Sequence, residues 1–159
     1  MISMIREACI SDFNAISNLE NQVFRMHLNA HPDMIKPRKE AFDREYFESC
    51  LNDEKIKIFV FEESGEILGH CITRQWEYEN HHMFYDMKIL EINDLCVDEK
   101  SRGKNIGRRL FEHAKDYAKE IGAARLELMV WAFNKNAREF YEHLGMSERI
   151  SRMEMIIEP

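Results

Sequence analysis

The sequence predicts a mixed α/β fold, in which helices pack on a sheet that is mostly antiparallel in the first half of the chain and contains a parallel pair in the second. Two observations predict this class. Two strand-like runs near the middle of the chain are joined by a short turn, which indicates an antiparallel hairpin. A strand, a helix and a second strand then follow in order from residue 89, which is most simply a parallel βαβ unit.

The first half of the chain holds five predicted elements. Side-chain periodicity gives the helices and strands, and turn-forming residues at 63–66 join the hairpin. A cap at Ser11 and Asp12 precedes the first helix, which should end near Pro32. The other elements are a strand at residues 4–8, a helix at about 39–51, and strands at 56–61 and 66–75.

The second half has a sharper pattern. Apolar residues keep helical spacing from Ile106 to a stop at Gly122, between predicted strands at 89–97 and 126–130. Asn134 can cap a further helix that ends at Gly145. A last strand is predicted at about residues 150–157.

Composition sets limits on the class of protein. The 159 residues fit a single domain, and 45% hydrophobic with 32% charged residues is typical of a globular chain. No apolar run is long enough to cross a bilayer, and the start of the chain lacks a signal-peptide pattern, so we expect a cytoplasmic protein with no membrane contact. A net charge of -7 argues against a nucleic-acid partner. The four scattered cysteines predict free thiols rather than disulfides.

The segment SRGKNIGRRL, residues 101–110, concentrates four cations and two glycines in this acidic chain. It lies between a predicted strand and a predicted helix, where the first N–H groups of the helix have no partner within it. Main-chain N–H groups and the helix dipole can hold a phosphate there, so a pyrophosphate is a suitable ligand. A solvated basic helix start is the alternative that the segment alone leaves open.

The region from residue 89 to residue 147 resembles the GNAT superfamily of acyl-CoA-dependent N-acetyltransferases. A strand ending in L-x-V, a [QR]-x-x-G-x-[GA] loop, and a helix with N-x-x-A-x-x-x-Y-x-x-x-G occur in that order in the family. The positions that match are Leu95, Val97, Arg102, Gly107, Asn134, Ala137, Tyr141 and Gly145. Asn105 replaces the middle glycine of the loop, and asparagine is the non-glycine residue best able to adopt a positive φ there.

The resemblance implies the fold and the cofactor. It implies a GNAT-like central sheet of six to seven strands, about four helices, and a parallel pair of strands that splay apart to admit the pantetheine arm of acetyl-CoA. Main-chain N–H groups of the loop would hold the pyrophosphate, and the strand before it would pair with the pantetheine arm. The implied cofactor-binding residues are Leu95, Cys96, Val97, Arg102, Gly103, Lys104, Asn105, Ile106, Gly107, Arg108, Asn134, Ala137 and Tyr141.

The resemblance also suggests the chemistry. It nominates Tyr141 as the general acid that protonates the departing thiolate of CoA. Two carboxylates are candidates for the general base, and we favour Glu91 over Asp94. Simple alternation places these two on opposite faces of their strand, whereas a bulge in the strand would invert the pattern on one side of it.

Other interpretations remain open on the sequence alone. The chain could be a non-catalytic acyl-CoA-binding sensor, or a module that holds a different diphosphate. His27 and His31 have a spacing that can ligate metal on a helix, but Pro32 follows and the reaction needs no metal, so none is predicted. The acceptor is expected to be an amine, carried by a small molecule or a peptide, and the family resemblance allows a homodimer.

Overall fold

A computed structural model describes residues 2–159. Contacts divide the chain into two compact units, one ending at Met129 and the other beginning at Val130. The helices and strands of the first unit are β1 (Ser3–Glu7), α1 (Phe13–Ala30), α2 (Arg44–Leu51), β2 (Ile56–Glu63), β3 (Glu66–Tyr78), β4 (Met87–Val97), α3 (Ile106–Glu120) and β5 (Arg125–Leu128). The second unit contains α4 (Lys135–His143).

The strands form one mixed sheet in the order β1-β2-β3-β4-β5. The first four strands pair antiparallel, and β4 pairs with β5 in parallel, which confirms the predicted hairpin and βαβ unit. The expected count of six to seven strands is wrong, because this sheet has five. Residues 150–157, predicted as a strand, are assigned to no helix or strand and are exposed. A strand-like pattern gives a strand only where its main-chain groups find a pairing partner, and no described residue pairs with this segment.

Helices cover both faces of the sheet. On one side, which we call the α1 face, α1 and α2 bury an apolar cluster that includes Ile16 and Phe47. On the opposite side, the α3 face, the ring of Phe59 lies 4.6 Å from that of His113 and 5.5 Å from that of Tyr117. The sheet is therefore the middle layer of the first unit, and its ends are where a ligand can reach the strands.

The approach of α3 to the sheet depends on Gly69. A Cβ atom at this position would lie 2.9 Å from the carbonyl oxygen of Cys96 and 3.0 Å from a methyl group of Leu110. Neither the main chain of β4 nor a fully buried leucine can easily yield that space. Gly69 thus allows the start of α3 to pack closely on the end of β4.

Several boundaries differ from those predicted, among them the start of α2 and the end of β3. α2 begins at Arg44, not near residue 39, because the Asp43 side chain accepts a hydrogen bond from the Tyr46 N–H at 3.2 Å and caps the helix there. β3 continues to Tyr78, beyond the predicted end at residue 75.

α1 ends at Ala30, close to Pro32 as predicted. Cys50, Cys71 and Cys96 are buried free thiols, whereas Cys9 is free and exposed. None of the described helices is both long and apolar enough to span a membrane.

Candidate functional site

The loop between β4 and α3 adopts the conformation that the sequence indicated. A short 3-10 turn, Glu99–Ser101, follows β4, and Asp98 caps it by accepting the Lys100 N–H at 3.1 Å. Gly103 has φ +80° and Asn105 has φ +69°, so both lie in the left-handed region. The prediction that Asn105 replaces a glycine by adopting a positive φ is confirmed. The chain then turns directly into α3 at Ile106.

α1 anchors the start of this loop through Gln22. Its side-chain amide donates to Oδ1 of Asp98 at 3.0 Å and accepts the Glu99 N–H at 3.1 Å. The hydrogen bond from Gln22 is the main reason why the pKa of Asp98 is lowered. The loop is therefore fixed at its entry by a helix that lies far from it in the sequence, a contact that sequence reasoning did not identify.

The N-terminus of α3 has the features of an anion site. Asn105 makes no side-chain cap hydrogen bond to the helix, and the first N–H groups from Ile106 onward have no partner within α3. The side chains of Arg102, Lys104 and Arg108 are exposed around it. Main-chain donors and positive charge thus occur together, as a phosphate ligand requires.

Arg109 is held away from this group of cations. Its guanidinium donates to Oγ of Ser3 at 3.0 Å and lies 4.7 Å from the ring centre of Phe61. Arg109 therefore ties α3 to the β1-β2 side of the sheet, and the predicted loop residues end at Arg108.

The edge of β4 is open beside the loop. β5 pairs with β4 only from Ile89 to Ile92, and its last paired residue is Leu128. β4 itself continues to Val97, so the segment 93–97 has no partner strand on the β5 side among the described strands. Its other edge is paired with β3 through Leu95 and Val97. This open edge can pair with an extended ligand as an added strand would.

A bulge in β4 decides which carboxylates share a face. Consecutive residues of β3 pair with Ile92 and with Asp94, so Asn93 between them has no partner on β3. One extra residue shifts the alternation of side chains by one position. Asp94 therefore lies on the same face as Glu91, the α1 face, where simple alternation would separate them.

Four polar side chains meet beneath α1 at this point. Oε1 of Glu20 lies 2.8 Å from Nε2 of His70, and the Cys96 thiol donates to Oδ1 of Asp94 at 3.2 Å. An oxygen of the Glu20 carboxyl group lies within 4.8 Å of one of the Asp94 carboxyl group, close enough for each group to shift the pKa of the other. The His70 side chain is 0% exposed and that of Glu20 is 12% exposed. One ligand-type atom from each of the four lies within 4.8 Å of the others, and we call this group the buried polar cluster.

Burial controls the protonation of this cluster. It raises the pKa of Asp94 to about 7, and the neighbouring Glu20 carboxyl adds to that rise. Burial also raises the pKa of Glu20 and lowers the pKa of His70, so the imidazole is neutral at pH 7. The cluster therefore contains a carboxyl group whose pKa is close to neutral pH.

Sequence reasoning missed Glu20 and His70, although both leave a signal. Glu20 follows Ile16 by one helical turn, which places a carboxyl group on the buried face of α1. His70 lies two residues before Ile72, and so on the same buried face of β3. A polar residue at a buried position needs a hydrogen-bonding partner, and the two residues supply each other.

In the second unit, α4 begins as predicted. The Asn134 side chain accepts the Ala137 N–H at 3.1 Å, which confirms it as the helix cap. Tyr141 is half-buried, and its ring lies 5.1 Å from that of Phe140. Gly145 follows the helix with φ +98°.

His27 and His31, the pair considered as a metal site, do not both lie within α1. His27 lies in the last turn of α1, with Nδ1 3.0 Å from the carbonyl oxygen of Val23, and His31 is the residue that ends the helix. Neither histidine belongs to the buried polar cluster.

Comparison with known proteins gives a consistent result. A model of the acetyltransferase (GNAT) family matches residues 15–146. The chain is 35% identical to an uncharacterised N-acetyltransferase of Bacillus subtilis, across 91% of this chain and 89% of that protein. It is 26% identical to the thialysine N-epsilon-acetyltransferase of Bos taurus, across 91% and 84%. An uncharacterised N-acetyltransferase of Methanocaldococcus jannaschii is 32% identical over 70% of this chain, which spans about half (48%) of that relative.

Solved structures share the architecture. The crystal structure of a mutant protein from Bacillus halodurans has a TM-score of 0.94 at 30% identity, covering 98% of this chain and 99% of that one. Glucosamine-6-phosphate N-acetyltransferase from Arabidopsis thaliana has a TM-score of 0.70 at 24% identity, covering 99% and 100%, which supports the fold alone.

Proposed function

Because the chain belongs to the GNAT acetyltransferase family, we propose that it transfers the acetyl group of acetyl-CoA to a primary amine by direct attack in a ternary complex. The observation that carries this proposal is the adjacency of the left-handed loop, the N-terminus of α3 and the open edge of β4. Together they offer an anion site next to an unpaired strand edge. The relatives are named as acetyltransferases, and none supports a non-catalytic sensor.

The cofactor site is proposed residue by residue. The N–H groups from Gly103 to Arg108 bind the pyrophosphate, and the exposed side chains of Arg102 and Lys104 add charge. The main chain of the segment 93–97, which includes Leu95, Cys96 and Val97, pairs with the extended pantetheine arm. In the second unit, Asn134 and Ala137 at the start of α4 are assigned to acetyl-CoA because they match the N-x-x-A positions of the family motif.

Acetyl-CoA supplies an activated acetyl group as a thioester. The amine nitrogen forms a bond to the carbonyl carbon, the carbon–sulfur bond breaks, and the acceptor nitrogen gives up a proton. An amine that is cationic in solution must lose one proton before it attacks, so a base is needed near the acceptor. The thiolate that leaves takes up a proton from a general acid.

Asp94 is the base that the geometry favours. The sequence favoured Glu91, which lies on the same face and is half-buried. Asp94 has in addition a pKa raised to about 7 by burial and by Glu20, and a base is most effective when its pKa lies near the working pH. We therefore assign proton removal to Asp94 and place Glu91 beside the acceptor. Tyr141 is proposed as the acid on its motif position.

The acceptor is proposed to be a cationic primary amine on a small molecule or a peptide. The exposed carboxylates of Glu77, Glu79 and Asp86 lie at the end of β3 and in the loop before β4. They attract a positively charged acceptor toward that end of the sheet. The thialysine N-epsilon-acetyltransferase among the relatives is named for an amine acceptor of this kind.

Release of free CoA thiol from acetyl-CoA, measured against a panel of primary amines, tests the proposal. We expect release that depends on one class of amine and on the concentration of both substrates. Tight binding of acetyl-CoA by calorimetry, with no thiol release for any amine, would indicate a sensor and overturn the proposal. Absence of acetyl-CoA binding would overturn the cofactor assignment itself.

A further inference from the structure

We infer that Glu20 and Asp94 act as one acid–base pair that shares a single proton, with His70 as the residue that positions Glu20. The pair joins the middle of α1 to the bulged part of β4. Its effect on catalysis rests on the proposed acetyl transfer, whereas the shared proton can be observed without turnover.

His70 and Cys96 each contact one member of the pair, and one proton remains to be shared between the carboxyl groups of Glu20 and Asp94. Nε2 of His70 lies 2.8 Å from Oε1 of Glu20, and the Cys96 thiol donates to Oδ1 of Asp94 at 3.2 Å. An oxygen of each carboxyl group lies within 4.8 Å of one of the other, with no basic side chain among the four members of the cluster except the neutral imidazole of His70. Two ionised carboxylates have no donor between them, whereas one proton gives a strong hydrogen bond between a carboxyl and a carboxylate.

The ring orientation of His70 shows which group donates. Nδ1 of His70 is buried and has no hydrogen-bond partner among residues 2–159. A buried N–H without an acceptor costs more than an unused lone pair, so the proton of the neutral ring belongs on Nε2. His70 then donates to Oε1 of Glu20. That hydrogen bond holds the Glu20 carboxyl group in place beside Asp94.

The proposed proton transfer is balanced within the pair. The pair begins with both carboxyl groups ionised and a net charge of -2. A proton from the cationic acceptor moves to Asp94 and is then shared with Glu20, which leaves a net charge of -1 on the pair and the amine free to attack. The proton returns to solvent after the product leaves. Glu20 does not touch the acceptor in this scheme, and it acts by setting the proton affinity of Asp94.

Other ionisable groups lie beside the pair or on the same face of the sheet. Cys96 lies beside it on β4, and Cys71 approaches from the opposite face of the sheet. Further groups on the α1 face, by element, are Arg6 of β1, Cys50 of α2, Arg74 of β3, Glu91 of β4 and Glu127 of β5. Among these groups Glu20 raises the pKa of Asp94 the most, so its substitution has the largest effect.

A metal ion is a weaker explanation of the same four side chains. A histidine that ligates metal through one ring nitrogen almost always donates the other N–H to an acceptor. Nδ1 of His70 has no such acceptor in the described chain. A shared proton between Glu20 and Asp94 requires no acceptor at Nδ1 of His70, because Nδ1 then carries only a lone pair.

The test combines carboxyl ¹³C NMR titration with the pH dependence of kcat/KM for Glu20→Gln and Glu20→Leu. The glutamine side chain of the first variant can accept from His70 and donate its amide N–H to Asp94, so the titration midpoint of Asp94 should fall by at least about one pH unit. The leucine side chain of the second variant provides neither charge nor donor, so the midpoint of Asp94 should stay high. Glu54→Gln, at an exposed position, is the control and should leave the midpoint unchanged.

The ¹³C NMR titration and the pH dependence of kcat/KM together distinguish failure of this inference from failure of the proposed function. A midpoint of Asp94 near 4 in the unsubstituted protein, or one that Glu20→Gln does not move, overturns the pair. If Glu20→Gln lowers the titration midpoint of Asp94 but leaves the acid limb of the kcat/KM profile unchanged, the role of the pair in catalysis is overturned. A shifted midpoint in a protein that turns over no amine supports the pair and counts against acetyl transfer. If a Glu20 variant does not fold, Asp94→Asn serves instead: Glu20 should then titrate in a single step at lower pH than in the unsubstituted protein.

Discussion

Glu91 and Asp94 lie on the same face of the sheet because Asn93 forms a bulge in β4 between them. Asp94 belongs to the buried polar cluster with Glu20 of α1, and Glu91 does not. The two carboxylates therefore have the same direction but different surroundings. That difference makes the identity of the base an experimental question with a clear answer.

We expect Asp94→Asn to reduce kcat/KM by roughly 10²- to 10⁴-fold, the usual effect of removing a positioned base. Glu91→Gln should reduce it by less than about 10-fold and act mainly on KM, because a carboxylate beside the acceptor contributes binding rather than proton transfer. Steady-state kinetics with one amine over a range of pH measures both. The reverse order of effects would return the role of base to Glu91.

Tyr141→Phe tests the general acid. If the phenol protonates the departing thiolate, kcat should fall by roughly 10²- to 10⁴-fold while the Kd for CoA stays the same. Phe140→Leu, at the neighbouring ring position, is the matched control for packing in α4. An unchanged kcat in the Tyr141 variant would assign the side chain to packing alone.

The loop prediction separates main-chain binding from side-chain charge. Gly107→Glu adds bulk and negative charge to the first turn of α3, so it should abolish CoA binding. Lys104→Ala removes one exposed cation and should weaken binding only by about 10-fold or less. Calorimetric titration with CoA gives both values. Equal losses would mean that side-chain charge, not the loop backbone, holds the pyrophosphate.

The raised pKa of Asp94 predicts how stability depends on pH. The folded protein keeps this proton up to about pH 7, whereas the unfolded chain loses it near pH 4. The contribution to stability is therefore complete below about pH 4, is lost as the pH rises to about 7, and is constant above that.

Urea denaturation at several pH values measures this dependence. Relative to Asp94→Asn, the unsubstituted protein should lose roughly 2–4 kcal/mol of unfolding free energy between about pH 4 and pH 7. Asp116→Asn, at an exposed position of α3, should show no such difference. A constant difference between the two proteins across this range would contradict a raised pKa.

The acceptor prediction concerns charge. Cationic amines should react faster than matched anionic amines, and the advantage should decrease with salt, because the exposed carboxylates at the end of β3 attract cations through solvent. Values of kcat/KM at low and high ionic strength decide it. Glu77→Gln combined with Glu79→Gln should reduce the salt dependence, and Glu54→Gln should not. A preference for the anionic amine would reject a cationic acceptor.

The order of the elements and the conformation of the loop before α3 could be predicted from the sequence. Helical spacing, the Asn134 cap and the positive φ of Asn105 are local properties, so they could be read from neighbouring residues. The family resemblance rests on the same short-range motifs. The strand predicted at residues 150–157 is the exception, since a local pattern does not supply a pairing strand.

The surroundings of Asp94, by contrast, depend on contacts between segments that are distant in the sequence. The bulge at Asn93 is defined by which residues of β3 pair with β4, and alternation within β4 cannot reveal it. The contact between Glu20 and Asp94 depends on α1 packing over that bulge, between residues far apart in the sequence. The pKa of Asp94 follows from this burial, because loss of water around a carboxylate is a property of the packed protein and not of any one segment.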